Sequence, residues 1–242
     1  IVGYICSMFG LTMFDVITTI MKPIENIMTG LPGYLVVLFL MQLLWWFGIH
    51  GPNVMGAVTG PFLTKMMATN LELYQAGEGV SASGVYYQAG SQYSIISSPF
   101  AAGWRCPTGS GITMGLIIAI MLFSKRDDFK AIAKLAIPCG IFNINEPIIF
   151  GIPLVMNPVF AVPFFLAPIA CTSLGYLVQY IGLCPLFVIN VPWTTPVGVF
   201  GFLASSGNIM GGIWQAVIII GASTLIYTPF VIASNRQKEV AA

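Results

Sequence analysis

From residue 135 to residue 235 the chain carries one formally charged side chain, Glu146. So long a stretch with a single charge cannot turn its apolar faces to water and stay dissolved, and several helical spans of about 20 residues fit inside it. Across all 242 residues, 57% are hydrophobic and 7% charged, far from the roughly 25% charged usage of soluble domains. The fold class expected is therefore an all-α integral membrane protein. A net charge of +1 argues against nucleic acid, because a phosphate-binding surface needs clustered Lys and Arg. The five cysteines show no CxxC spacing and there is one histidine, so no Cys/His metal site is expected and the cysteines read as small hydrophobes. GxxxxGK[ST] is missing, so no ATP site and no cofactor are expected either.

Breakers divide the chain into multi-pass helices with re-entrant hairpins. Residues 1–21 are apolar except for Asp15 and read as a first helix, spanning or interfacial. Residues 34–49 carry no charge and end in Trp45-Trp46-Phe47, aromatics of the kind that gather at headgroup level, so a span finishing near an interface is expected. His50-Gly51-Pro52-Asn53 breaks it, and a mixed helix over about 54–70 leads to residues 71–94, the best candidate for a solvent loop. Gly109-Ser110-Gly111 is expected to open a helix to Ser124. Lys125, Arg126, Asp127, Asp128, Lys130 and Lys134 form the strongest charge cluster, a cytoplasmic loop by the positive-inside rule. Residues 135–157 hold Pro138, Gly140, Pro147, Gly151 and Pro153, too many breakers for one straight helix, so a re-entrant hairpin is predicted. Residues 158–181 and 209–232 read as crossings, and residues 190–208 as a second broken element, a pair of the kind that marks a transporter's binding site. The apolar start at Ile1, with no basic segment before it, suggests that 1–242 is the C-terminal part of a longer membrane domain whose N-terminal helices are missing.

A charge at membrane depth costs about 2.5–3.5 kcal/mol on the insertion scale, so Glu146 calls for a compensating role. It could cap a helix that opens at Pro147 or pair with Lys134 or Arg105; it could also serve a ligand, with Asn143 and Asn145 beside it as donors and acceptors for a polyhydroxyl compound. His50 either satisfies a hydrogen bond at an interface or, between Gly48, Gly51 and Pro52, meets a ligand. Trp193 can anchor at an interface or stack on the C–H face of a sugar, with Thr194 and Thr195 alongside. Gly109, Ser110 and Gly111 at a helix start offer free N–H groups.

Three segments, WFGIHG at 46–51, INEPIIFGIPLVMNP at 144–158 and PWTTP at 192–196, occur in this order and together resemble the membrane-embedded IIC component of bacterial sugar phosphotransferase systems, in the lactose/cellobiose/diacetylchitobiose group. The resemblance runs from about residue 10 to 232. It implies a permease of the bacterial inner membrane, dimeric, that binds a disaccharide of the cellobiose, chitobiose or lactose type. Such a permease presents the sugar to a cytoplasmic EIIB phosphocysteine, itself charged by EIIA. By motif, Glu146 resembles the acid that contacts the hydroxyl to be phosphorylated, His50 the sugar-binding histidine and Trp193 the stacking aromatic. Asn145 belongs to the same acid-bearing motif, and Gly109 and Gly111 match a backbone contact near a hairpin. Family members show GGSGATLGL where this chain has TGSGITMGL, and are nearly twice as long. The rival reading is a proton-coupled secondary sugar transporter in which Glu146 and His50 relay a proton and the sugar leaves unchanged.

Overall fold

The computed structural model describes residues 30–81 and 84–240, with side chains described through residue 235; the helix expected over 1–21 lies outside the described residues. Helix α1, Leu31–Trp46, carries Pro32 in its first turn and ends at Phe47, before Gly48 turns the chain at φ +81°. His50 caps α2, Gly51–Gln75. The Gly51 backbone presses so close to the Met41 carbonyl that a β-carbon would overlap it, so the two helices pack tightly at their shared turn. A small antiparallel hairpin follows, β1 Val80–Ser81 and β2 Gly84–Val85. The solvent loop expected over 71–94 is thus only partly a loop. Helix α2 continues through its first residues, and Val85 and Tyr93 are buried, held by Asn70, whose side chain bonds both the N–H and the C=O of Ser94.

One turn of helix, α3 Ser98–Phe100, runs into a π-helical turn, Ala101–Arg105. Helix α4, Met114–Phe123, begins later than the glycine triplet suggested. Thr108, Gly109, Gly111 and Ile112 all have positive φ, which a right-handed helix excludes. The charge cluster is likewise mostly helix, since α5, Asp127–Ile141, starts inside it. Asp127 and Asp128 sit in its first turn, where the macrodipole favours anions. Arg126 bonds the Asp128 carboxylate through Nη2 at 2.6 Å and Nε at 3.2 Å, and this hydrogen bonding holds that carboxyl below its usual range. Asn235, far along the chain, donates to the Phe123 carbonyl and accepts from the Lys125 N–H, closing the end of α4.

The breaker-rich region over 135–157 is a helix, a tight turn and a short helix, α6 Glu146–Gly151. Helix α7, Pro158–Tyr180, matches its expected bounds within a residue. The chain from Ile181 to Gly198 is mostly irregular and leads to α8, Val199–Ala204. Then α9, Ile209–Ala216, a π-helical stretch Val217–Ala222, and α10, Ser223–Val240, run continuously. Among the described residues, Pro158–Tyr180 and Ile209–Asn235 are long and apolar enough to cross a membrane, while Leu31–Trp46 and Met114–Phe123 are shorter apolar helices.

Two apolar cores support the architecture. One gathers Phe100, Trp104, Phe187 and Phe200 around the π-helical turn, and the other gathers Leu116, Ile120, Ile148, Phe164 and Tyr227 where α4, α6, α7 and α10 meet. Trp104, fully buried, stacks on Phe187 with centroids 5.4 Å apart, and Gly175 of α7 lets that indole approach the helix backbone. Adding a methyl at Gly175 would overlap the indole, and overpacking of this kind costs about 1–3 kcal/mol. Gly175→Ala is therefore expected to lower the thermal midpoint of the detergent-solubilised protein by several degrees. Gly221→Ala, where a β-carbon meets no heavy atom within 4 Å, should leave the midpoint within error.

Candidate functional site

Three irregular segments converge at one place. The first is the turn Cys106–Thr113, closed by Gly109 N–H to Cys106 O and by Thr113 Oγ1 to Thr108 O. The second follows α5, where Asn143 takes the left-handed conformation at φ +66° and the Ile144 N–H returns to the Cys139 carbonyl at 3.0 Å, a helix ending that asparagine tolerates better than most residues. The third is the loop around Trp193. Asn143 joins all three: its Oδ1 accepts from the Thr108 N–H at 2.7 Å, and its Nδ2 donates to the carbonyls of Trp193 at 2.5 Å and Thr195 at 2.8 Å. Asn145 adds a second tie, Nδ2 to the Ser110 carbonyl at 2.6 Å. Its amide lies directly on Gly109, where any β-carbon would collide with it.

These turns form one side of a cavity of about 860 Å³, lined on the other side by α2 from His50 to Leu63. Small-molecule sites have volumes of roughly 300–1,000 Å³. His50, Gly109, Asn145, Glu146 and Trp193 all line it, although they are scattered over much of the sequence. Gly111 does not line the cavity. Its β-position is filled by the Phe164 ring, and its carbonyl accepts from Tyr227 Oη at 2.7 Å, so it belongs to the packing behind the wall. Thr194 and Thr195 are likewise absent from the lining. The expectation of a free N–H at Gly109 is also corrected, since Cys106 accepts it.

Glu146 opens α6, exposed into this space. Among the described residues its carboxylate has no hydrogen bond and no ion pair, so neither Lys134 nor Arg105 neutralises it. His50 accepts from the Asn53 N–H through Nδ1 at 3.2 Å as the N-cap of α2. In a neutral imidazole that leaves the proton on Nε2, free to donate. The ring rests on Trp45 at 4.9 Å between centroids, and Trp193 is 62% exposed, its backbone held by Asn143. The wall thus offers an unpaired carboxylate, an imidazole donor and an aromatic face, a set suited to a polyhydroxyl ligand.

Two features of the wall were missed as site elements. Arg105 lines the cavity, whereas in the sequence it reads only as a partner for Glu146. Its signal was the same as that of Glu146, isolation in apolar sequence. The α2 face made by Asn53, Gly56, Thr59 and Gly60 was legible as small or polar residues recurring at helical spacing.

The model of the family described as "Phosphotransferase system, EIIC" matches residues 1–168. The chain belongs to that family. This EIIC chain is 35% identical over 231 residues to the oligo-beta-mannoside-specific EIIC component of Bacillus subtilis (strain 168), covering 94% of this chain and 49% of that protein. It is 34% identical to the cellobiose-specific EIIC component of Lactococcus lactis subsp. lactis (strain IL1403), covering 99% of this chain and 51% of that one. The crystal structure of the transporter ChbC, the IIC component from the N,N'-diacetylchitobiose-specific phosphotransferase system, superposes with a TM-score of 0.83 at 31% identity, covering 95% of this chain and 51% of that chain. The chain therefore spans about half the length of the relatives it matches.

Asn143 is the testable centre of the site's geometry. Replacing it with Gly keeps the left-handed backbone and removes only the side-chain ties, which costs about 1–3 kcal/mol for each polar group left buried and unpaired. Asn143→Ala adds about 1–2 kcal/mol of left-handed strain. The expected order of thermal midpoints is wild type, then Gly, then Ala; equal midpoints for all three would mean that the ties contribute nothing.

Proposed function

We propose that the chain is the C-terminal part of an EIIC sugar permease that binds a disaccharide of the cellobiose, lactose or chitobiose type in this cavity and releases it phosphorylated. The observation that carries the reading is the unpaired Glu146 carboxylate facing the same cavity as His50 in a chain of this family. Relatives specific for cellobiose support the ligand class. The phosphoryl donor is a cysteine of EIIB, on another chain or fused as in the lactose-specific EIICB relatives, and EIIA recharges it. No described cysteine of this chain suits the donor role, since Cys171 and Cys184 are buried and Cys106 and Cys139 half-buried, whereas a donor thiolate needs an accessible, electropositive setting.

In the transfer, the sugar hydroxyl oxygen attacks phosphorus, the O–P bond forms as the S–P bond breaks, and the thiolate leaves. Glu146 orients the hydroxyl and accepts its proton, His50 donates through Nε2 to a neighbouring oxygen, Asn145 holds the Glu146 turn against Gly109, and Trp193 stacks on a ring face. Positioned proton acceptors contribute roughly 10²–10⁴-fold to such reactions.

The protein lies in the bacterial inner membrane as a multi-pass homodimer. The Lys125–Lys134 cluster is cytoplasmic. Pro158–Tyr180 and Ile209–Asn235 cross from there and return the tail, with Arg236 and Lys238, to the same side. The α5–α6 and α8 segments act as re-entrant elements, their irregular backbone covered by protein.

The test is phosphoenolpyruvate-dependent phosphorylation of labelled disaccharides by vesicles carrying the full reading frame that encodes this chain, supplied with the soluble phosphotransferase proteins. Phosphosugar is expected from the wild type, with Glu146→Gln slower by roughly 10²–10⁴-fold. Free sugar accumulating on a proton gradient would overturn the reading in favour of secondary transport.

A further inference from the structure

The loop that carries Trp193 is fixed at two points. Asn143 holds it on the Glu146 side, through the carbonyls of Trp193 and Thr195. At its other end, where α8 begins, the N–H groups of Gly198 and Gly201 both donate to Oε1 of Gln215, at 2.9 and 2.8 Å. The first N–H groups of a helix have no partner within it, so a side chain of α9 caps α8. Gln215 is fully buried, and its Nε2 donates in turn to the Gly103 carbonyl at 2.9 Å, 112 positions away in the chain. The amide thereby uses both lone pairs of its oxygen and one of its two N–H bonds.

Gly103 belongs to the π-helical turn Ala101–Arg105. Ala101, Ala102 and Arg105 of that turn line the cavity, whereas Gly103 backs onto the apolar core, where a β-carbon would overlap the Phe187 and Phe200 rings. Carbonyls at the end of such a turn lack a helical partner. The next one, of Trp104, is taken in the same way by the Thr172 hydroxyl of α7 at 3.1 Å. Gln215 therefore grips the turn from behind. Its seat depends on close approach: a β-carbon at Gly201 would overlap the Gly211 carbonyl and one at Gly212 the Gly198 carbonyl, so α8 lies backbone to backbone on α9.

Building on the sugar-permease reading, we infer that Gln215 is a positioning residue for sugar binding, acting through Trp193. A loop held by Asn143 alone can pivot about that tether. The second pin at Gly198 removes the pivot, and the bond to Gly103 fixes the loop to the turn that forms another part of the cavity wall. Glu146 is held separately, since Asn145 ties its turn to Ser110 and Asn143 ties it to Thr108. Loss of the Gln215 amide therefore weakens capture of the sugar and leaves phosphoryl transfer to bound sugar nearly intact.

The experiment is a double-mutant cycle of Gln215→Leu and Trp193→Ala, read as KM and kcat for phosphoenolpyruvate-dependent phosphorylation in vesicles carrying the full reading frame and supplied with the soluble phosphotransferase proteins. The substrate is whichever of labelled cellobiose, lactose and diacetylchitobiose the wild type phosphorylates. Gln215→Leu is expected to raise KM roughly 3- to 10-fold, the size of one aromatic stacking contact, with kcat within about twofold. In the Trp193→Ala background the same change should add less than about twofold to KM, because the contact that Gln215 positions is already gone. Where Gln215→Leu fails to fold, Gln215→Glu carries the cycle, since its carboxylate still accepts from Gly198 and Gly201 and cannot donate to Gly103. Equal KM rises in both backgrounds would assign Gln215 to structure and overturn the inference, as would an unchanged KM or a fall in kcat alone. A wild type that phosphorylates none of the three sugars would overturn the sugar-permease reading and the inference with it, a failure seen without any variant.

Discussion

The side-chain amide of Asn143 holds the site together. An amide has two donors and an acceptor with two lone pairs, and here it reaches three peptide groups belonging to two other segments of the chain. None of those segments is helical where it is bound, so the Thr108 N–H and the Trp193 and Thr195 carbonyls have no helical ladder to join. A buried peptide group left unpaired costs about 1–3 kcal/mol. The amide resolves that problem for Thr108, Trp193 and Thr195 at once. As a consequence, the Glu146 turn, the Gly109 turn and the Trp193 loop are fixed relative to one another. Asn145 repeats the device on a smaller scale through Ser110.

Within this frame the Glu146 carboxylate has no hydrogen bond and no ion pair among the described residues, although it lines the cavity. Had Lys134 or Arg105 reached it, the carboxylate would be a structural anchor. Arg105 instead lies near the Tyr34 hydroxyl and the Cys106 thiol. The described lining of the cavity thus holds one anion and one cation with no ion pair between them.

Much of this was legible in the sequence because a polar residue in a charge-free apolar stretch is rare and needs a reason. That logic singles out Glu146, His50 and Trp193, which line one cavity, and the breakers that suggest a re-entrant hairpin over 135–157 mark the end of α5, a tight turn and the short α6. Helix α7 was placed within a residue because nothing competes with a long apolar run bounded by Asn157-Pro158 and the Gly182 turn. The rest depended on distance in sequence. Asn143 read as a possible ligand donor, yet its partners lie 35, 50 and 52 positions away, and local patterns carry no information about such pairings. Gly111 read as a ligand contact, but the Tyr227 hydroxyl, 116 positions on, occupies its carbonyl. The start of α4 was misplaced because Gly-Ser-Gly is compatible with both a helix N-terminus and a left-handed turn. The asparagine ties from α5 and α6 select the turn.

The most direct test of the account is the structure, by crystallography or cryo-electron microscopy, of the protein from the full reading frame with a saturating disaccharide bound. Sugar density is expected in the cavity between α2 and the Asn143–Glu146 turn, with one hydroxyl within hydrogen-bonding distance of Glu146 and a ring against Trp193. Density elsewhere, with Glu146 paired to a basic side chain, would contradict it.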